Sequence, residues 1–462
     1  MSIQALSFST LARAIASGEL SAREALDGCI ARIEATDESI NAFTSRCFSR
    51  ARDEATAVDA LRASGAVLPP LAGVPYAVKN LFDIEGEVTL AGSKINRGHA
   101  PATADAVLVQ RLKAAGAVLV GALNMDEYAY GFTTENTHEG PTRNPHDVAR
   151  TAGGSSGGSG AAVAARQVPF TLGSDTNGSI RVPASLCGVW GLKPTFGRLS
   201  RHGTYPFVHS IDHLGPLADS VEGLALAYDA MQGPDALDPG CHALAVHPVG
   251  GGLTRGIDGL RIGVLGGYFQ GNAGEAARAV AALAAKTLGA SDEVEWPGAA
   301  LGRAAAFIIT ASEGGSLHLP DLRTRAADFE PLSVDRFIAG ALQPAHWYLT
   351  AQRFRRAYRD RVNALFEKWD VLIAPATPVS APQIGAESIE INGQSHPARP
   401  SLGLLTQPIS FAGCPVVAAP MWPEGTGGMP IGVQLIAAPW REDLALRAAM
   451  VLQQAGVARL KE

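Results

Sequence analysis

Ser155 and Ser179 stand 24 residues apart, each inside a knot of glycine and small polar residues. The first knot is Gly153-Gly154-Ser155-Ser156-Gly157-Gly158-Ser159; the second is Asp175-Thr176-Asn177-Gly178-Ser179. Glycine admits positive φ and lets other groups approach closely. A serine beside such a turn is a candidate nucleophile, and consecutive turn amides are a candidate oxyanion hole. The stretch from Thr151 to Gly191 therefore reads as an acyl-transfer site. Such a site needs a base. Lys79 closes the apolar run that starts at Leu71, in a chain with only seven lysines against 31 arginines. Lysine is seldom buried without a reason, and a desolvated lysine can lose its proton near neutral pH, which arginine cannot. A surface lysine at a strand end accounts for the local sequence equally well.

Other chemistries lack their patterns. No Lys follows the glycines as a phosphate loop requires, and no G-x-G-x-x-G joins a strand to a helix. His99, His138 and His146 lack metal-ligand spacing, so neither a metal nor a cofactor is expected. Asp126-Glu127 suggests two-carboxylate chemistry; the blander reading has one capping a helix and the other solvated. Net charge is −6 with scattered arginines, which gives nucleic-acid binding no support. The five cysteines are odd in number and never in C-x-x-C spacing, which fits reduced thiols, with Cys187 and Cys414 as buried packers. Without a signal-peptide pattern or an 18-residue apolar run, a cytoplasmic protein is expected.

The elements that must position these residues read as α/β. Helices are expected over residues 8–17, 22–36 and 47–64, the second opened by the capping box Ser21 to Glu24. A buried strand then carries Lys79. A helix over 105–115 and a strand over 117–121 follow, giving a βαβ signature. A long loop spans 131–144, and residues 212–216 read as a turn before a helix over 219–232. Residues 233–256 read as a surface excursion. Strands are expected at 260–265, 370–375, 414–420 and 432–436. The 300–365 region is mostly helical, with Arg353, Arg355, Arg356, Arg359 and Arg361 on one helix. That face reads as solvated, with room for one arginine to enter the site. The 47% hydrophobic content is ample for a large core, and no repeat or flexible linker divides the chain. One domain over 1–462 is expected, with a helical arm over 1–66, an α/β core over 67–462 and the signature region at 151–191.

Lys79, the knot at 153–159, the 24-residue step and Asp175-Thr176-Asn177-Gly178-Ser179-Ile180-Arg181-Val182-Pro183-Ala184 together resemble the amidase signature family. The resemblance extends through Asn124-Met125-Asp126-Glu127, Gly188–Pro194 and the Pro415–Gln434 tail, and so covers nearly the whole chain. It implies a large, twisted, mixed but mostly parallel sheet with helices on both faces. It also implies a triad: Ser179 as nucleophile, Ser155 in a cis peptide as proton relay, and Lys79 as neutral base. The amides of Thr176, Asn177, Gly178 and Ser179 would hold the oxyanion. Ser156 would support the relay, and Asp175, Arg181 and Met125 would support or line the site. Many family members carry Gly where this chain has Asn177, which places a side chain near the hole. A substrate contact and a turn preference both account for it.

Within the family the signature leaves the substrate open. The chain resembles members that release ammonia from small, anionic, biuret-like amides. These act with a small helical partner subunit, similar to that of the tRNA-dependent amidotransferases, in a two-plus-two assembly. The anion would need a cation, for which Arg355 and Arg181 are the candidates. The chain also resembles the glutaminase component of aminoacyl-tRNA amidotransferase. Members with that role often carry Asp just before G-x-P-[LI]-G; the matching residue here is Gly427. A hydrolase of other ureides and a non-catalytic scaffold are further alternatives, the last disfavoured by the intact Lys79, Ser155 and Ser179.

Overall fold

Alternating runs of small and β-branched residues build one sheet through the protein. The computed structural model describes residues 7–461. The first six residues of the expected arm, where the signal-peptide reading also falls, and Glu462 lie outside the described residues. The sheet strands are β1 (Phe43–Arg46), β2 (Pro75–Lys79), β3 (Val118–Leu123), β4 (Phe170–Asp175), β5 (Trp190–Lys193), β6 (His213–Ala218), β7 (Ile262–Leu265), β8 (Glu293–Val294), β9 (Val371–Pro375), β10 (Val416–Ala419) and β11 (Val433–Ala437). Their order across the sheet is β1-β3-β2-β4-β6-β5-β10-β11-β9-β7-β8.

The sheet is mixed, but the mostly parallel expectation needs correction. Six of its ten neighbouring pairs are antiparallel and four are parallel. The βαβ unit read from the sequence is present: β2 and β3 run parallel around the helix Val107–Ala114. From β4 across the sheet to β9, however, every neighbouring pair is antiparallel, and no helical crossover separates β10 from β11. The expected turn at 212–216 is part of β6. Its His-Leu-Gly-Pro-Leu-Ala sequence looks like a loop, yet it pairs residue for residue with β4. Gly215 is required there, because a Cβ would sit 2.1 Å from the Leu192 carbonyl oxygen.

Helices cover both faces. Along β2, Tyr76 and Val78 belong to one core cluster and Ala77 to the other, the two-residue period of a strand buried on both sides. The arm helices Phe8–Ser17, Ala22–Ile40 and Phe48–Ala63 pack as expected, and the Ser21–Glu24 capping box forms. The second helix runs four residues past the expected end, to Ile40, and is capped by Asn41 in the left-handed conformation. The 131–144 loop folds into short paired strands, Glu135–Asn136 with Gly140–Pro141, while Arg143–Asn144 pairs with Asp147–Thr151. Among the described residues no helix is long and apolar enough to cross a membrane.

Candidate active site

Two parallel neighbours, β2 and β4, end side by side near the middle of the sheet. Lys79 is the last residue of β2, and Asp175 is the last of β4. After Asp175 the chain turns through Thr176–Ser179 into the helix Arg181–Cys187. The first knot descends beside this turn and opens the helix Gly157–Ala164. Small residues permit the close approach: a Cβ on Gly173 would stand 2.9 Å from Ser156 Oγ, and one on Gly158 would stand 2.6 Å from the Ala42 carbonyl oxygen.

Lys79 and Ser155 are fully buried, and Ser179 nearly so. The Lys79 side-chain nitrogen lies 2.6 Å from Ser155 Oγ and 2.9 Å from Ser174 Oγ. Burial pushes the Lys79 amine down to about 7, against the pull of Asp126, Asp212 and Asp175. It is therefore poised to be neutral at physiological pH. The Gly154–Ser155 peptide bond is cis. Ser156 donates its Oγ–H to the Ser174 carbonyl at 3.1 Å and its main-chain N–H to the Ser179 carbonyl at 3.3 Å. This ties the two knots to β4.

The Thr176–Ser179 turn is held from three sides. Thr176 donates to Asp212 at 2.6 Å, and Thr406 donates to the Asn177 carbonyl at 2.7 Å. Gly178 has φ +140°, and a Cβ there would meet Thr406 Oγ1 at 2.1 Å. Beneath the turn, Asp175 and Arg181 form a fully buried ion pair with N–O distances of 2.9 Å. Burial raises the Asp175 carboxyl, but the Arg181 guanidinium outweighs it and holds the group well below the usual carboxylate range. The same carboxylate accepts the Ile180 N–H at 3.2 Å, which fixes where the helix starts.

The sequence candidates do not all meet in one place. Ser179, Thr176 and Asn177 line a pocket with Tyr130, Phe307, Thr310, Arg336 and Gln407. The pocket is small and narrow. Arg181 is committed to Asp175, Gln434, Ser410 and the Thr406 carbonyl. Arg355 is buried by packing, not by the pocket, and donates to the Phe411 and Ser210 carbonyls. Neither lines the pocket, and both are spoken for by the fold. Met125 is a fully buried core residue beside β3.

The Asp126-Glu127 pair differs from its blander reading: both carboxylates are buried. Asp126 accepts the Thr134 N–H at 3.0 Å and pairs with Arg399 at 3.3 Å. Its Oδ2 sits where a Cβ on Gly154 would be, so it lies against the cis peptide. Glu127 accepts the Glu330 N–H at 2.7 Å, and burial raises it to about 7. Among the described residues no cluster of His, Cys, Asp or Glu is arranged to hold a metal.

Two arginines missed in the sequence stand at the pocket. Arg336 lines it, with its guanidinium 4.1 Å from the Tyr130 ring centroid and one nitrogen donating to the Tyr130 carbonyl at 2.6 Å. Arg399 precedes the lining residue Pro400 and lies close enough for its charge to act on Arg336. Nothing in the local sequence around Val334–Ala341 or Ala398–Ser401 marks either residue. Ser174 was within reach: it is a hydroxyl one residue before Asp175 on a strand that ends at the knot.

The comparisons with known proteins agree with this geometry. The Amidase family model matches residues 24–446. The AtzE subunit of 1-carboxybiuret hydrolase from Pseudomonas sp. (strain ADP) is 75% identical over 447 residues, 97% of this chain and 98% of that protein. The A subunit of glutamyl-tRNA(Gln) amidotransferase from Moorella thermoacetica is 39% identical, over 94% of this chain and 93% of its own. A solved structure described as a vestigial protein complex that reveals the evolutionary origins of an s-triazine catabolic enzyme superposes with a TM-score of 0.98. It is 74% identical and covers 99% of this chain and 100% of its own. With its signature strands, buried lysine and paired serine knots in this arrangement, the chain belongs to the amidase family, enzymes that hydrolyse carbon–nitrogen bonds.

Proposed function

We propose that this chain hydrolyses the terminal amide of 1-carboxybiuret and releases ammonia through an acyl-enzyme. The observation that carries the reading is one pocket holding both Ser179 with its turn amides and the guanidinium of Arg336. The first group suits attack on an amide, the second an anionic substrate. The 75% identity to a component of 1-carboxybiuret hydrolase supports the same substrate.

Neutral Lys79 takes the Ser155 hydroxyl proton across their 2.6 Å contact. Ser155 in turn takes the proton of Ser179, whose Oγ attacks the terminal carbonyl. The main-chain N–H groups from Thr176 to Ser179 receive the oxyanion; one such donor is worth about 3–4 kcal/mol in a serine hydrolase where it was measured. Collapse breaks the C–N bond, and the relay returns the proton to the departing amine as ammonia. Water then attacks the acyl-enzyme by the same path. The products are ammonia and a urea carboxylated on both nitrogens. Ser156 and Asp175 hold the two knots in place, and Arg336 receives the substrate carboxylate, with Arg399 adding positive charge nearby.

We also propose that the chain works as one amidase domain in the cytoplasm, with a small helical partner subunit in a two-plus-two assembly. Support comes from a similar protein solved as a complex and from five cysteines that are all free. The second reading, glutamine hydrolysis for a tRNA-dependent amidotransferase, has the 39% identical relative in its favour. Against it, Gly427, where an acidic residue would hold the glutamine amine, lies in an exposed turn. Ammonia release by the purified chain, with and without its genomic small-subunit neighbour, separates the readings. The substrates are freshly generated 1-carboxybiuret, biuret, allophanate and glutamine. Selective turnover of 1-carboxybiuret is expected; selective turnover of glutamine would replace this reading with the second.

A further inference from the structure

Asn177 stands two residues before Ser179 in the pocket wall, and its side chain is only half used. Its Nδ2 donates to Thr310 Oγ1 at 2.9 Å, from a threonine nearly without exposure on the helix Ala299–Leu317. Its own carbonyl accepts from Thr406, so the main chain is fixed as well. Its Oδ1, by contrast, is buried without a hydrogen-bond partner. Buried acceptors are rarely left unmet, because each forfeits its hydration. Thr310 and Asn177 both line the pocket, so the unmet acceptor belongs to a side chain of the pocket wall.

An acceptor in that place asks for an N–H. Resting on the ureide reading above, we propose that Asn177 Oδ1 accepts the internal N–H beside the scissile carbonyl. This makes Asn177 the residue that selects ureides over carbon-chain amides. Every primary amide offers the leaving –NH2, so that group cannot discriminate. The atom on the other side of the carbonyl does: it is N–H in a biuret-like chain and CH2 in glutamine. A methylene placed there leaves Oδ1 dehydrated and unpaired, the situation that gives strong rejection of an analogue lacking a hydrogen-bonding group.

Biuret and malonamide test this directly, since they differ only by N–H against CH2 at the central position. Their inhibition constants are measured against whichever amide the wild-type protein turns over. Wild type should bind biuret at least about tenfold more tightly, as expected for one buried hydrogen bond. Asn177→Leu, which keeps bulk but removes the acceptor, should bring the ratio to near about one, while Asn177→Asp, which keeps an acceptor, should preserve a preference. Asn177→Gly gives the same reading if the leucine variant does not fold. An unchanged ratio in Asn177→Leu or Asn177→Gly, equal weakening of both inhibitors, or no wild-type preference would overturn the proposal. Failure of the wild type to hydrolyse 1-carboxybiuret would instead sink the substrate reading and leave the ratio measurable.

Discussion

Lys79 Nζ and Ser155 Oγ lie 2.6 Å apart, and both side chains are sealed from solvent. A lysine in that position is useful only without its proton. Burial supplies the condition, and the nearby carboxylates of Asp126, Asp212 and Asp175 limit how far the amine falls. The balance leaves it near neutrality, where it can accept a proton and return it.

Activity should therefore follow the neutral amine. Below the Lys79 value the amine is protonated and cannot accept; above it the base is free. The kcat/KM profile should rise with pH and reach half its maximum near about pH 7. A profile flat across this range would remove Lys79 from the role of base. Lys79→Arg should lose nearly all turnover, because guanidinium keeps its proton.

Ser179→Ala should abolish ammonia release while leaving the circular dichroism spectrum and melting temperature close to wild type. Its hydroxyl sits in the pocket wall and makes no side-chain hydrogen bond that the fold depends on among the described residues. Appreciable residual hydrolysis in the purified variant would assign the nucleophile elsewhere.

Gly178→Ala tests the turn. The new methyl would meet Thr406 Oγ1 at 2.1 Å, at a φ of +140°. Backbone strain of this kind costs about 1–3 kcal/mol, and displaced amides should lower kcat by about a hundredfold. Urea denaturation and steady-state kinetics read the two effects separately. Wild-type kcat in a folded variant would mean the turn amides do not hold the oxyanion.

Arg336→Gln should raise KM for 1-carboxybiuret by about tenfold or more, the loss of one charge-assisted hydrogen bond. Neutral biuret should bind unchanged. If KM for the anion stays put, the carboxylate is read by another group.

Arg181→Met should destabilise the protein by about 3–5 kcal/mol, because it strands a buried carboxylate. The shift in urea midpoint measures it. A loss below about 1 kcal/mol would mean the Asp175 charge is compensated without Arg181.

Much of the candidate site was written locally. Ser155, Ser179 and the amides around them are close neighbours in the chain, and glycine spacing announces such turns. Lys79 was marked by type, yet type alone does not suffice. Lys193 is just as buried and is also pushed down to about 7 by burial and the Arg181 charge, but it donates to the Pro194 and Cys414 carbonyls. What separates the two lysines is a pair of hydroxyl partners from distant segments. Arg336 and Arg399 were illegible for the same reason: their helices look ordinary, and only the fold brings them to Tyr130 and Asp126. The reversed strands escaped because pairing direction is set between segments, not within them. His213–Ala218 shows this most plainly, since its glycine and proline suit a turn while its neighbours demand a strand.

The commitments of Arg181 set an order of assembly. Its guanidinium reaches Asp175, six residues away, but also the Thr406 carbonyl, Ser410 and Gln434, which lie 225, 229 and 253 residues further on. A nascent chain that has passed the ribosome only through the signature region holds Ser155, Ser179 and the Asp175–Arg181 pair but not the groups that clamp Arg181 from beyond it. The last holds on the serine turn, from Thr406 to the Asn177 carbonyl and from the 406–434 segment to Arg181, exist only once the C-terminal part of the polypeptide arrives, so the site is completed late in synthesis.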